Sequence, residues 1–419
     1  MAPCLRFQIG RYLMVNLYDY FMLQLPIYLD HNATTPCDPR VVEAMLPFFT
    51  MQFGNASSRH HAFGWQAEEA VKAAREQVAG LIGAEPNEII FTSGATEATN
   101  LAIKGVFETY AAKGAHIITC AIEHKAVLDS CKHLEKLGAE VTYLGVNGHG
   151  LIDPQELEAA IKPTTILIAI MYANNEIGTV QPMQEISRIA RKHNVIFFTD
   201  ATQAVGKIPV NVNSDGIDLL ALAAHKMYGP KGAGALYVRR KGPRVKLTAQ
   251  IDGGGHERGI RSGTLNVPGI VGLGKACEIC RNEMEKDAVH TARLRDKLES
   301  SLLRLEGTSV NGYPEHRLPH TTNLSFNYIE SEGLLMALGK QIALSSGSAC
   351  TSGSLEPSYV LKALGLSDEL AHSSLRFGVG RFTTEEEIDY TIEQVVKAVN
   401  NLRELSPFWE MNKSGISNK

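Results

Sequence analysis

Short apolar runs alternate with amphipathic segments along most of the chain between residues 37 and 285. Residues 65–82 (WQAEEAVKAAREQVAGLI) have apolar positions at the spacing of a helix that buries one face. The apolar runs between such helices are short, as expected for buried strands. They are residues 88–91, 116–119, 141–144, 165–171, 195–198, 218–223 and 234–238. This alternation predicts an α/β fold with a mostly parallel sheet covered by helices on both faces.

A Gly-rich stretch at residues 253–255 precedes a long helical pattern over residues 267–305. We expect this helix to lead from a large domain, residues 37–285, into a smaller α+β domain formed by residues 26–36 and 286–419. Residues 1–25 are expected to form an N-terminal arm. They are largely apolar and lack the small-residue cleavage site of a secretory signal. A transit peptide is the weaker alternative there, because Ser and Arg are not enriched.

The composition argues against several classes of partner. The 419 residues carry a formal net charge of −4, so there is no basic excess and we expect no direct nucleic-acid binding. No apolar run reaches the roughly 18 residues of a membrane span, so we expect no membrane association. The seven cysteines are scattered and odd in number, which favours reduced thiols and a cytoplasmic location.

One cysteine stands in an unusual segment. Residues 344–357 (LSSGSACTSGSLEP) place Cys350 among small, hydroxyl-bearing residues that cannot pack a core. A thiol presented on such a loop suits a nucleophile, although a surface loop with an incidental cysteine has the same pattern.

Cys277 and Cys280 have the C-x-x-C spacing of a metal or redox site. They lie in the long helical pattern without a second pair, so we favour two cysteines on a helix face.

Three features follow predicted strands, at the edge of the sheet where α/β folds bind ligands. Residues 91–97 (FTSGATE) break a strand at a glycine and open a helix whose N–H groups suit a phosphate, although simple helix capping explains them equally well. Asp200 follows an apolar strand and needs a cation such as a pyridinium nitrogen, unless it caps the next helix. Lys226 ends another apolar strand, where loss of water favours the neutral amine of a Schiff-base lysine over a surface lysine. Together they suit pyridoxal 5'-phosphate (PLP).

The ordered motifs of this chain resemble those of the group I cysteine desulfurases, the NifS/IscS-like branch of the class V aminotransferase superfamily. The resemblance covers residues 26–410 and implies the PLP-dependent fold-type I, or aspartate aminotransferase-like, architecture. It is carried by Tyr28-Leu29-Asp30, Ala33-Thr34-Thr35-Pro36, Thr92-Ser93-Gly94-Ala95-Thr96-Glu97, Glu123-His124, Asn174-Asn175-Glu176-Ile177-Gly178, Asp200-Ala201-Thr202-Gln203, His225-Lys226, Gly253-Gly254-Gly255-His256-Glu257-Arg258-Gly259, Arg261-Ser262-Gly263-Thr264, the segment around Cys350, Ser354-Leu355-Glu356-Pro357-Ser358-Tyr359 and Leu375-Arg376-Phe377.

The resemblance implies a role for each residue that matches a family motif. Lys226 would carry PLP and exchange a proton at the substrate Cα, and His124 would stack on the cofactor ring and shuttle protons. Cys350 would take the substrate sulfur as a persulfide. The remaining residues would bind cofactor or substrate: Asp200 at the ring nitrogen, Gln203 at the ring hydroxyl, Asn175 beside ring and substrate, Ala95, Thr96 and His225 at the phosphate, Thr264 at the phosphate of a partner subunit, and Arg376 at the substrate carboxylate.

The activity implied by the resemblance is conversion of L-cysteine to L-alanine, with persulfide sulfur passed on for iron–sulfur cluster assembly and for tRNA thiolation. A homodimer and an iron–sulfur scaffold protein or another sulfur acceptor are the implied partners. No resident metal is implied, and Cys350 would contact a cluster on a scaffold only transiently. A selenocysteine lyase, a class V aminotransferase and an inactive binding platform are the alternatives. Cys350 argues against the aminotransferase, and intact Lys226 and Asp200 argue against the platform.

The chain departs from the family pattern at Ala223, three residues before the lysine, where a hydroxyl residue is usual. One hydrogen bond to the phosphate is therefore expected to be missing, worth about 0.5–1.5 kcal/mol. We expect weaker PLP retention without loss of activity.

Overall fold

The computed structural model describes residues 23–346 and 356–413, and its centre is a seven-stranded sheet. The strands of this sheet follow the spatial order β2-β8-β7-β6-β5-β3-β4. They are β2 (Ile89–Thr92), β3 (His116–Cys120), β4 (Glu140–Leu144), β5 (Thr165–Ala169), β6 (Ile196–Asp200), β7 (Leu219–Ala223) and β8 (Gly234–Val238). All neighbours in the run from β7 to β4 are parallel, whereas β8 is antiparallel to both β2 and β7.

Helices surround this sheet and continue into the carboxyl-terminal part. They are α1 (Pro39–Met45), α2 (Pro47–Thr50), α3 (Ala62–Ile82), α4 (Ala95–Tyr110), α5 (Lys125–Glu135), α6 (Pro154–Ala160), α7 (Met183–Lys192), α8 (Val267–Leu302), α9 (Ser331–Leu338), α10 (Tyr359–Ala363), α11 (Asp368–His372), α12 (Glu385–Glu404) and α13 (Pro407–Lys413). Capping side chains and a glycine explain where several of these helices begin or end. Asp38 caps α1, Thr384 and Glu387 form a capping box on α12, and Gly83 ends α3 in the left-handed conformation.

Alternate residues of the central strands face two different hydrophobic clusters. On β3, Ile118 and Cys120 face the cluster that contains α3, α7 and the first half of α8, while Ile117 faces the cluster that contains α4 and α5. Side chains of a strand point alternately to opposite faces, so a sheet covered on both sides needs apolar residues at nearly every position. This explains why the strands read as continuous apolar runs.

A third cluster lies around a smaller sheet of order β12-β10-β9, formed by β9 (Thr308–Val310), β10 (Thr321–Phe326) and β12 (Ser374–Gly378). Leu294, Leu298 and Leu302 of α8 belong to this cluster, whereas the beginning of α8 packs on the central sheet. A two-stranded parallel pair, β1 (Ile27–Tyr28) with β11 (Ile342–Ala343), brings the chain near its start beside the third cluster. The helix α8 thus packs against both sheets.

The predicted strands and the two long helices are confirmed within about three residues of their ends. Cys277 and Cys280 lie on α8 and are fully buried, as favoured above, and both contact Met227. Among the described helices none combines the length and apolarity that crossing a bilayer requires. The predicted nucleophile Cys350 and residues 1–22 of the predicted arm lie outside the described residues.

Candidate active site

A cavity of about 640 Å³ opens at the carboxyl ends of the parallel strands. It is lined by nine of the predicted site residues: Ala95, Thr96, His124, Asn175, Asp200, Gln203, His225, Lys226 and Arg376. They come from sequence positions up to 281 residues apart (376 − 95) and meet only in the fold. The exposed Thr264 is not among the residues that line the cavity of its own chain.

One end of the cavity is formed by the turn between β2 and α4. Gly94 has φ +155°, and a Cβ there would meet nothing within 4 Å, so the turn borders open space. Ser93 donates from its N and Oγ to Glu97 Oε2, at 2.8 and 2.5 Å, which closes the first turn of α4. Gly94 makes no side-chain cap, so the first N–H groups of this 16-residue helix are presented toward the cavity. This end suits an anion.

The centre of the cavity contains a buried carboxylate, Asp200, at the end of β6. Its Oδ1 accepts a hydrogen bond from Thr202 N at 3.0 Å. No α-helix follows, because residues 201–217 form turns, so the alternative of a helix cap is wrong. Thr202 Oγ1 and Asn32 Oδ1 are buried beside it without a hydrogen-bond partner within residues 23–346 and 356–413. Both residues also line the cavity, so its wall is polar beside Asp200.

Lys226 lies in a single 3₁₀ turn, Ala224–Lys226, just beyond β7 and not on the strand itself. It is only partly buried, and its Nζ donates to the carbonyl oxygens of Asn32 and Ala33, both at 2.6 Å. The predicted loss of water at this lysine is therefore partial. The neighbouring His225 contacts Thr34 Oγ1 at 3.1 Å. Burial, with help from Lys226, lowers the pKa of His225 to about 4, so this imidazole is neutral at ordinary pH.

His124 begins α5 as its N-terminal cap. Its Nδ1 accepts a hydrogen bond from Ala126 N at 3.1 Å. Because Nδ1 is the acceptor, a neutral ring carries its proton on Nε2. The histidine that lines the cavity is therefore held by its own helix start in one tautomer.

Arg376, on β12, brings a buried guanidinium to the lining of the cavity. Its Nη2 forms an ion pair with Asp30 Oδ1 at 2.7 Å, and its Nη1 donates to the Asn175 carbonyl oxygen at 3.0 Å. Nε has no hydrogen-bond partner in the described part of the chain. With five donors in a planar fork, the group retains donors for a ligand carboxylate.

Sequence reasoning missed several residues that build this site. Asn32 lines the cavity and accepts hydrogen bonds at its carbonyl oxygen from Lys226 and from Gln203 Nε2, the latter at 2.9 Å. Glu123 and Glu176, the chain neighbours of His124 and Asn175, are buried acids beneath the cavity wall. The signal for both acids was a charged residue directly beside a predicted site residue.

The comparisons with known proteins agree with this geometry. The family model for aminotransferase class V matches residues 27–391. The chain belongs to the aminotransferase class V family. The cysteine desulfurase IscS of Anaeromyxobacter sp. (strain K) is 59% identical over 395 residues, which cover 94% of this chain and 97% of that protein. The cysteine desulfurase IscS of Escherichia coli O139:H28 is 58% identical over 396 residues, which cover 94% of this chain and 98% of that protein.

Solved structures of similar proteins resemble this class V member in fold as well as in sequence. A NifS-like protein superposes with a TM-score of 0.84 at 40% identity, covering 90% of this chain and all of that chain. SspA in complex with cysteine superposes with a TM-score of 0.76 at 39% identity, covering 85% of this chain and all of that chain. Within the class V family the chain is an IscS/NifS-like cysteine desulfurase, and its cofactor is PLP.

The residues of the cavity fit that cofactor. An anion-binding helix start, a buried carboxylate and a lysine amine lie around one space, as phosphate, pyridinium nitrogen and aldehyde of PLP require. Asn32 and Thr202 add two further polar residues to the lining of the same space.

Proposed function

We propose that this chain removes sulfur from L-cysteine at the cavity between β2, β6 and β7, leaving L-alanine and a persulfide on Cys350. The observation that carries the proposal is the convergence of Lys226, Asp200 and the start of α4 on one cavity that Arg376 also lines. Those four features supply a carbonyl-reactive amine, a counter-charge, a phosphate site and a carboxylate site.

Cofactor binding is assigned to the residues around the α4 end. Ala95 and Thr96 would hold the phosphate with N–H groups of the helix start, together with the neutral His225. Asp200 would face the pyridinium nitrogen as its buried counter-charge, and Gln203 would bond the ring hydroxyl. PLP, when bound, supplies an electron sink that weakens the bonds at the substrate Cα and Cβ.

Catalysis is assigned to three side chains. Lys226 would remove the proton at the substrate Cα and return it. His124, whose Nε2 carries the proton of the neutral ring, would donate or accept a proton at the substrate. The thiolate of Cys350 would attack the substrate sulfur, so that an S–S bond forms, the C–S bond breaks and its electron pair stays on carbon until a proton is added.

Substrate binding is assigned to Arg376 and Asn175. Arg376 is fixed by Asp30 and by the Asn175 carbonyl oxygen, so its guanidinium is pre-oriented before the substrate arrives. The remaining donors would bind the α-carboxylate of L-cysteine. The Asn175 side chain would lie beside the cofactor and the substrate.

The oligomeric state, the sulfur acceptor and the cellular location are further parts of the proposal. Thr264 is exposed and outside the cavity of its own chain, which supports a homodimer in which it reaches the partner's phosphate site. The Cys350 persulfide would deliver sulfur to an iron–sulfur scaffold protein. The five cysteines of the described residues are all free thiols, which supports a reducing, cytoplasmic location.

The experiment that tests the function measures alanine and sulfide released from L-cysteine in the presence of a thiol reductant, for the parent and for Cys350→Ala. We expect turnover in the parent and its loss in the variant, while the PLP absorbance of both proteins is the same. Turnover that survives Cys350→Ala would show that this thiol does not take the sulfur, and it would favour the selenocysteine-lyase alternative.

A further inference from the structure

Helix α10 begins with two polar side chains that contact the neighbours of cavity residues. Tyr359 OH donates a hydrogen bond to the Glu123 carbonyl oxygen at 2.6 Å. The Nζ of Lys125 lies 4.7 Å from the centre of the Tyr359 ring, a cation–π distance. Glu123 and Lys125 flank His124 in the chain. Tyr359 therefore contacts both neighbours of the candidate proton-transfer residue.

Ser358 makes the corresponding contact on the Asn175 side of the cavity. Its Oγ donates to Glu176 Oε2 at 2.5 Å and accepts from Leu361 N at 3.3 Å, so it caps α10 while it binds a buried acid. Glu176 is itself fixed, because its N donates to Asn174 Oδ1 at 2.8 Å. The start of α10 is thus attached to both turns that carry cavity residues.

The orientation of His124 depends on the turn that Tyr359 holds. The imidazole is tied to its own backbone through Ala126 N, so a rotation of the Glu123 peptide moves the ring with it. A displacement of about 1 Å at a proton-transfer group can cost on the order of a hundredfold in rate. The hydroxyl of Tyr359 binds the Glu123 carbonyl, which belongs to the peptide directly before His124.

We propose that Tyr359 is a positioning residue for His124: its hydroxyl fixes the Glu123 peptide and thereby the direction from which the His124 ring reaches the cavity. Ser358 and Glu176 keep the start of α10, and so Tyr359, in place for this task. The inference rests on the proposed function, since it assigns Tyr359 a task that exists only if His124 takes part in the reaction.

A double-mutant cycle tests this inference on the full-length, PLP-loaded enzyme. Tyr359→Phe removes only the hydroxyl and is made in the parent and in a His124→Gln background. We expect kcat for L-cysteine to fall about fivefold in the parent background with KM within about twofold, and to fall no further in the His124→Gln background. Rates are referred to the folded fraction measured by circular dichroism, so a partly unfolded variant does not mimic the effect.

The matched control is Tyr143→Phe, which removes a comparable hydroxyl that donates to Glu135 Oε2 at 3.3 Å on an exposed face. This control should leave kcat unchanged. Equal losses from Tyr359→Phe in both backgrounds, or no loss in the parent, would overturn the inference while His124→Gln remains impaired. Full activity of His124→Gln would instead remove His124 from the proposed function, and the inference with it.

Discussion

At the scale of single residues, burial controls the charge of groups in the cavity wall and behind it. Burial raises the pKa of Glu123 well above its usual range, and it raises the pKa of Glu176 to about 7 although Ser358 and Arg376 oppose the shift. Burial lowers the pKa of His31 to about 4, as it does for His225. The acids are therefore biased toward their neutral forms, and so are the histidines.

The raised pKa of Glu176 makes stability depend on pH. The folded state holds this proton up to about pH 7, whereas an ordinary glutamate has a pKa of 4.5, so its stabilising contribution is present below pH 4.5 and is lost as pH rises through 7. The shift corresponds to about 3 kcal/mol in the unfolding free energy. We expect the unfolding free energy of the parent to fall between pH 5 and pH 8 because of Glu176. Glu176→Gln should lack this part of the fall, as measured by urea unfolding at both pH values.

The buried histidines impose the opposite trend, because their lowered pKa values cost stability as pH falls below 6.5. Only the difference between parent and variant therefore reports on Glu176. Replacement of the exposed Glu393 by Gln is the control and should leave the pH dependence of the parent unchanged. A Glu176→Gln protein with the same pH dependence as the parent would contradict this account.

At the scale of secondary-structure elements, the antiparallel strand β8 joins the two ends of the candidate site. Gly234, its first residue, pairs with Thr92 at the end of β2 and with Ala223 at the end of β7. The β2 end leads into the turn at the start of α4, and the β7 end leads into the turn of Lys226. A Cβ on Gly234 would lie 2.6 Å from the Gly94 Cα, so these backbones approach closely.

Gly234→Ala should disturb the phosphate end of the cavity. We expect overpacking against Gly94 to lower the unfolding free energy by about 1–3 kcal/mol. PLP retention on dialysis should fall at least fivefold, since part of the strain is relieved by moving the turn before α4. Absorbance of bound PLP and urea unfolding measure the two effects.

The control for this substitution is Gly145→Ala, where an added Cβ would meet nothing within 4 Å. This variant should retain both the cofactor and the stability of the parent. If Gly234→Ala binds PLP as tightly as the Gly145→Ala protein, the close approach does not shape the phosphate site.

At the scale of the whole molecule, an exposed apolar surface bears on the proposed homodimer. Between residues 46 and 65, Phe49, Met51, Phe53 and Trp65 are each more than half exposed. Clustered exposed aromatic and aliphatic side chains are typical of a protein–protein contact. Together with the exposed Thr264, this surface supports the proposed homodimer, in which each subunit completes the other's site.

Subunit mixing tests that arrangement. Lys226→Ala removes the proposed cofactor lysine, and Thr264→Asp places a negative charge where the partner's phosphate is expected, so each variant alone should be nearly inactive. Refolding an equal mixture should restore about a quarter of the parent activity, because half of the dimers are hybrids with one complete site. Activity that equals the average of the two variants would exclude a shared site.

Much of the fold could be predicted because the strands of the central sheet are bounded apolar runs of the right length. The antiparallel direction of β8 was not predicted, although the link between β7 and β8, residues 224–233, is too short for the usual crossover helix of a parallel pair. Weaker PLP retention caused by Ala223 stays a prediction. That residue is buried at the end of β7 and is not among the cavity-lining residues.

In the candidate site, too, some features could be predicted from the sequence and others could not. Asp200, Lys226 and the start of α4 are visible in the sequence because each follows an apolar strand, and parallel strands bring their carboxyl ends to one edge. The partners of these residues were not visible. Asn32 reaches Lys226 across 194 positions, and Ser358 reaches Glu176 across 182. The sequence by itself determined the elements and the chemistry at their ends, since both are local. Only the tertiary structure decided which distant polar groups meet, because long-range contacts follow from how the strands and helices pack.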